Sequence, residues 1–252
     1  MELLVVSLAS LFAGFVDAIV GGGGLILVPA LFATFPGAPP ATLLGTNKGA
    51  SVWGTAFATW QYNQKVQLRW HNLWPAAVAG LLASFAGAWL VTVVSAEFLR
   101  RMVPFVLLLV LLYTLAKKEF GRVHAPHFSG QQEQLIGIGI GLLMGFYDGF
   151  FGPGTGSFLV FLFVRLLGYD FLRASAAAKL LNTVTNSAAL LLFIVKGHVW
   201  WNFVLAMALA NVLGSLLGTR LAIKHGTGFV RGVFLLVVSA LILKTSWDAF
   251  VH

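Results

Sequence analysis

Apolar residues fill this chain in long runs, and only short polar breaks separate them. The runs lie at roughly 3–20, 24–36, 41–61, 72–94 and 98–116, then at roughly 132–151, 156–168, 172–195, 200–222 and 229–247. Runs of about 20 apolar residues suit helices that cross a bilayer, and the two-residue alternation of a barrel strand is missing. The pattern predicts an all-α, polytopic helical membrane protein. Segments 24–36 and 156–168 are too short to cross: at about 1.5 Å per residue they fall well below a hydrocarbon core of about 30 Å.

The two sets of runs are copies of one another. GFVDAIVGGGGLI at 14–26 matches GFYDGFFGPGTGS at 145–157, and the register holds without a gap onward. Asp17 falls on Asp148, Gly21 on Gly152, Gly23 on Gly154, Lys48 on Lys179, Lys65 on Lys196, Trp70 on Trp201 and Gly87 on Gly218. Residues 1–118 are therefore expected to form a first transmembrane repeat and 132–252 a second. Residues 119–131, within a polar stretch marked by Gly121, Pro126, Ser129 and Gly130, are the linker. A glycine-rich interruption in the first apolar stretch of each half marks the binding site in many transporters built from repeats.

Positive charges decide how the copies sit, because cytoplasmic loops collect Lys and Arg. If each glycine break lies within one span, the basic residues outside spans divide evenly between the two sides. If it forms a hairpin, Lys65, Arg69, Lys117, Lys118, Arg122, Arg165, Arg173, Arg220, Lys224 and Arg231 share one side. Arg100, Arg101, Lys196 and Lys244 then take the other. The hairpin arrangement obeys the rule and makes the repeats inverted, with a cytoplasmic linker and both termini periplasmic.

Composition narrows the class further. The chain is 59% hydrophobic and 10% charged, where a soluble domain carries about 25% charged residues, so its solvent is the lipid bilayer. Its net charge of +8 belongs to the flanks of spans, and no nucleic-acid partner is expected. With no cysteine, thiol chemistry is excluded. Tryptophans fall largely near span ends, as interfacial anchors do. His71, His124, His127, His198 and His225 have no zinc-ligand spacing and are expected to be solvated. No hydrolase constellation stands out, so no enzyme activity and no cofactor or metal are expected. Gly80, Gly87, Gly214 and Gly218 are spaced for close helix packing, either within one protomer or in a homodimer.

The candidate chemistry lies at the repeated motifs. Gly21, Gly22, Gly23 and Gly24, and Gly152, Pro153, Gly154, Thr155, Gly156 and Ser157, should end one helix and start another. Unwound backbone at membrane depth survives only where protein buries it or water reaches it. The restarting helix exposes N–H groups and the positive end of its dipole, which suits an anion. Pro153 fits its first turn. Close helix packing is the competing explanation. Asp17 and Asp148, just before the breaks, could accept hydrogen bonds from the loop, carry a proton or bind a cation. Lys48 and Lys179 lie among small and polar residues, including Thr46, Asn47, Asn182 and Asn186. Buried in a span, each lysine calls for an anionic partner, either the Asp of its own repeat or a substrate.

These motifs resemble the TauE/SafE family of sulfite and sulfonate exporter-like permeases, in particular its YfcA-type branch. The resemblance rests on Asp17 with Gly21–Gly24, on Thr46-Asn47-Lys48, on the run Gly145-Phe146-Tyr147-Asp148-Gly149-Phe150-Phe151-Gly152-Pro153-Gly154, and on Ala178-Lys179-Leu180-Leu181-Asn182. It implies a multi-pass carrier of the bacterial inner membrane for sulfur-containing or other small organic anions. The expected function is a secondary transporter, an exporter in the direction the membrane potential favours, that moves sulfite, sulfonates or sulfoacetate by alternating access. A cation or metal carrier using Asp17 and Asp148, and a membrane interaction subunit without transport, are the alternatives.

Overall fold

The computed structural model describes residues 1–95, 97, 98 and 124–251. Among the described residues there are eight helices and no strand: α1 Glu2–Val20, α2 Gly24–Thr34, α3 Pro40–Lys65, α4 Trp70–Val93, α5 Gly130–Phe150, α6 Thr155–Leu167, α7 Phe171–Val195 and α8 Trp201–Val251. Nearly all of the expected span 98–116 lies outside the described residues. So do Arg100, Arg101, Lys117, Lys118, Arg122 and the first part of the linker, as well as the side chains of Arg231 and Lys244.

Four helices are long and apolar enough to cross a bilayer: α1, α4, α7 and the Trp201–Val230 part of α8. With 26 residues, α3 spans about 39 Å and is also long enough to cross. Its low hydropathy comes from Thr42, Thr46, Asn47, Lys48 and Thr55, all of them buried inside the protein. The two expected spans 200–222 and 229–247 both appear, as two helical stretches of α8 that meet where Gly226 leaves helical geometry (φ 70°, ψ −164°).

The first helix of each repeat packs along the fourth helix of the other: α1 on α8, and α5 on α4. Both pairs run parallel, and glycine lets their backbones touch. A Cβ on Gly145 would lie 2.3 Å from the Gly80 carbonyl oxygen, and one on Gly214 would lie 2.0 Å from that of Leu11. Gly87 meets Phe146 and Gly218 meets Phe15 in the same way. All four glycines singled out for packing are thus engaged within the protomer. Where lipid cannot drive helices together by the hydrophobic effect, such seams supply the van der Waals contact that does.

The described turns sort into two groups. Thr42, early in α3, bonds His198 just past the end of α7 (3.2 Å), and Phe35 packs on Trp200 and Phe203. At the opposite end, the α3–α4 turn, the first turn of α5 and the α6–α7 turn meet around a buried carboxylate, Glu133. It accepts from Arg69 (3.0 Å), Asn72 (2.6 Å) and Tyr169 (2.5 Å). Burial and the Glu133 carboxylate both hold the Tyr169 hydroxyl protonated, which makes it the donor. Asp170 caps α7 by accepting from the Arg173 backbone N–H at 2.9 Å, and it also pairs with the Arg173 side chain. Lys65, Arg69, Arg165, Arg173, Arg220 and Lys224 gather at this charged end, whereas Lys196 lies at the aromatic one. The histidines expected to be solvated include His198, held by Thr42, and His124, which lies 3.9 Å from Asp170.

Candidate functional site

Both glycine breaks form as the sequence predicts, and they meet. α1 ends on Gly21 in the left-handed region (φ 81°), with its N–H on the Asp17 carbonyl. α5 ends at Phe151, and Gly152 (φ 92°) and Gly154 (φ 82°) turn the chain into α6. A side chain on Gly21 would run into the backbone of Gly156, 2.1 Å away. Across this contact Ser157 donates its N–H to the Gly21 carbonyl (3.0 Å) and its hydroxyl to that of Val20 (3.0 Å). Ser175 does the same to Ile19 (3.0 Å). The carbonyls left over by the end of α1 are therefore answered by α6 and α7, which satisfies unwound backbone at membrane depth.

Pro153 does not occupy the first turn of the restarting helix. α6 begins at Thr155 with Gly154 as its N-cap. The left-handed Gly154 separates the proline from the helix, and the Pro153 carbonyl instead accepts from the Tyr147 hydroxyl (2.5 Å). Several N–H groups freed by the breaks are also spoken for: that of Gly23 by Asp17 Oδ1 (3.3 Å), that of Thr155 by Gly152 (3.2 Å), and that of Ser157 by Gly21.

Beside the crossing lie two lysine–aspartate pairs. Lys48 Nζ is 2.7 Å from Asp148 Oδ1, and Lys179 Nζ is 2.6 Å from Asp17 Oδ2. Each lysine takes the aspartate of the other half of the chain, where the sequence left open the aspartate of its own half or a substrate. Sequence spacing along one repeat cannot see this exchange, because α3 and α7 cross between the two breaks. Lys48 also donates to Asn186 Oδ1 at 2.9 Å. It lies near the second break, 3.0 Å from where a Gly152 Cβ would stand.

These groups enclose a polar cavity. Ala13, Asp17, Gly21, Gly23 and Gly24 line it from the first break, and Asn47, Lys48, Ser51 and Thr55 from α3. Asp148, Gly152 and Gly156 line it from the second break, Asn182 and Asn186 from α7, and Asn211 from α8. It offers about 20 Å³ to the centres of water-sized molecules, room for one or two waters and too little for a sulfonate. Two buried atoms of its lining residues, Asp148 Oδ2 and Asn47 Oδ1, have no hydrogen-bond partner.

Nine of the predicted binding residues line the cavity: Gly21, Gly23, Gly24, Asn47, Lys48, Gly152, Gly156, Asn182 and Asn186. Gly22, Thr46, Pro153, Gly154, Thr155, Ser157 and Lys179 do not. Thr46 accepts the Trp200 N–H (3.0 Å), Thr155 bonds Gly152 (2.8 Å), and Lys179 is fully buried against Asp17. Ser51, Thr55 and Asn211 were missed. Asn211 matches Gly80 in the repeat register, so a search for repeated polar residues passes over it. A lone amide in the apolar stretch 203–213 was the available signal.

Helices at membrane length around a buried polar cavity, built from two copies of one motif, define a membrane transporter scaffold. Residues 6–245 match the family model described as Sulfite exporter TauE/SafE, and the chain belongs to that family of membrane transporters. It is 35% identical over 240 residues to a probable membrane transporter protein, ORF9, of Sinorhizobium sp, covering 95% of this chain and 90% of the relative. It is 34% identical over 244 residues to the probable membrane transporter protein YfcA of Escherichia coli strain K12, covering 95% and 88%. A Bacillus subtilis relative, the probable membrane transporter protein YunE, is 21% identical over 248 residues, covering 90% and 91%. No solved structure matches the chain.

Proposed function

We propose that this protein is a secondary transporter of small sulfur-containing or organic anions, such as sulfite, sulfonates or sulfoacetate, and not an enzyme. The observation that carries the reading is Lys48. Its ammonium is buried, faces the cavity, and spends two of its three donors on Asp148 and Asn186. The third remains for an oxyanion, with the side chains of Asn47 and Asn182 also lining the cavity.

The two repeats are inverted, in our reading, and rock against each other around this cavity. Three features support it: matching helices exchange partners, matching turns lie at opposite ends, and basic residues gather at the Glu133 end. By the positive-inside rule that end is cytoplasmic, the membrane is the bacterial inner membrane, and both termini are periplasmic. An interior negative by 100 mV favours the exit of an unaccompanied anion by about 2.3 kcal/mol per charge, so uncoupled carriage is export. A cation carrier would need the two aspartates free, and each is held by a lysine.

The test is flux through purified protein in liposomes, with sulfite, sulfoacetate, isethionate, acetate and Zn²⁺ as probes. At least one anion should cross, and Lys48→Ala should lose that flux. Zinc flux that persists in the variant would support a cation carrier. No flux of any probe would contradict the proposal.

A further inference from the structure

The two lysine–aspartate pairs match in sequence and differ in one respect. Asp17 has both carboxylate oxygens occupied: Oδ1 by the Gly23 N–H and Oδ2 by Lys179. Asp148 has only Oδ1 occupied, by Lys48. Its Oδ2 is buried with no partner, on a residue that lines the cavity. The cause lies in the breaks. The first is Gly21-Gly22-Gly23-Gly24, in which Gly23 is helical (φ −58°) and turns its N–H back onto Asp17. In the second, Pro153 replaces Gly22 and has no N–H to give, while Gly154 replaces Gly23 in the left-handed region (φ 82°). The second loop therefore leaves its aspartate one donor short.

A buried carboxylate oxygen without a donor costs free energy, and a proton relieves it. From this geometry we infer that Asp148, and not Asp17, is the proton-binding group of the transport cycle, taking one proton on Oδ2 together with each anion. The inference rests on the anion-carrier reading above and assigns the coupling ion of that site.

The charges balance. Lys48 and Lys179 offset Asp17 and Asp148, and no other charged group lines the cavity, so the site is neutral as it stands. Among the described residues, the other elements packed around Asp148 present no further charge: α4 brings Ser84 and Gly87 against its helix, and on α7 Lys179 is held by Asp17. A proton from the aqueous side makes Asp148 a neutral acid and leaves Lys48 cationic. The four groups then carry one net positive charge, and Oδ2–H becomes a donor. A monovalent oxyanion restores neutrality by accepting from Oδ2–H and Lys48. On the far side the anion leaves, the proton returns to water, and the Lys48 pair re-forms. Carriage of a monovalent anion is then electroneutral, so the anion and proton gradients set its direction and the membrane potential does not.

Two measurements on the full-length protein test this. The first is the carboxylic-acid band in the infrared difference spectrum on acidification. It should be present in the wild type, lost in Asp148→Asn, kept in Asp17→Asn and restored in Asp148→Glu. The second is isethionate and sulfite flux into liposomes that hold a pH-sensitive dye. Wild-type protein should move about one proton per isethionate. Any anion that still crosses through Asp148→Asn should bring no proton with it, and that flux should respond to an imposed potential. A band or proton movement that survives in Asp148→Asn would overturn the assignment while leaving anion transport standing. The predicted infrared pattern with no anion flux would leave Asp148 as a proton site and reject the anion carrier.

Discussion

Lys179 and Asp17 show what a closed ion pair does in this protein. The lysine is wholly buried, and its partner is also held by the loop that it precedes. Removing one member strands the other charge, at a cost of roughly 3–5 kcal/mol for a buried pair. Lys179→Met should therefore lower the unfolding midpoint in detergent, and adding Asp17→Asn should recover part of the loss. A midpoint unchanged in the single variant would mean that the pair is not formed. At this scale the sequence was partly legible. The repeat register found both aspartates and both lysines, because a charge at membrane depth stands out and duplication marks it twice. It could not show which aspartate each lysine takes, nor Asn211, whose matching position is a glycine. It also overrated Thr155 and Ser157, since a hydroxyl at a helix start satisfies nearby backbone as readily as it meets a ligand.

Among the elements, the seams of α1 with α8 and of α4 with α5 hold the halves together through backbone contact. Gly145→Val should break the second seam, because even a single Cβ would press on the Gly80 carbonyl. The expected outcome is loss of folded protein by fluorescence-detected chromatography, whereas Leu143→Ala, on the exposed face of the same helix, should fold normally. Equal behaviour of the two would contradict the packing. The charged end offers a pH test. Burial, then the Arg173 charge, holds the His124 imidazole below its ordinary range, and Asp170 opposes them. The unfolded segment thus takes up its proton first as pH falls below about 6.5, and the folded arrangement loses stability from there down to the lowered value. Hydrogen exchange across residues 124–129 should rise over that window and stay level in His124→Gln. The helices themselves were legible from run length, and the short α2 and α6 from their glycine borders. The two stretches of α8 were legible as well, because the polar segment near Lys224 to Gly228 reads as a break and helical geometry fails within it, at Gly226.

For the whole molecule, duplication and the placement of Lys and Arg in the sequence predict inverted repeats, a topology that remains a proposal. The absence of native cysteine makes it simple to test. With an impermeant thiol reagent, Gln64→Cys should label only from the cytoplasm and Lys196→Cys only from the periplasm. Both labelling from one side would mean parallel repeats. The central claim is that the cavity between the two breaks opens to each side in turn. Ser51, at the cavity wall, tests it most directly. A single Ser51→Cys protein in oriented vesicles should react with the impermeant reagent applied from either face, and isethionate should slow both reactions. Reaction from one face alone under every gradient, or from neither, would contradict the account.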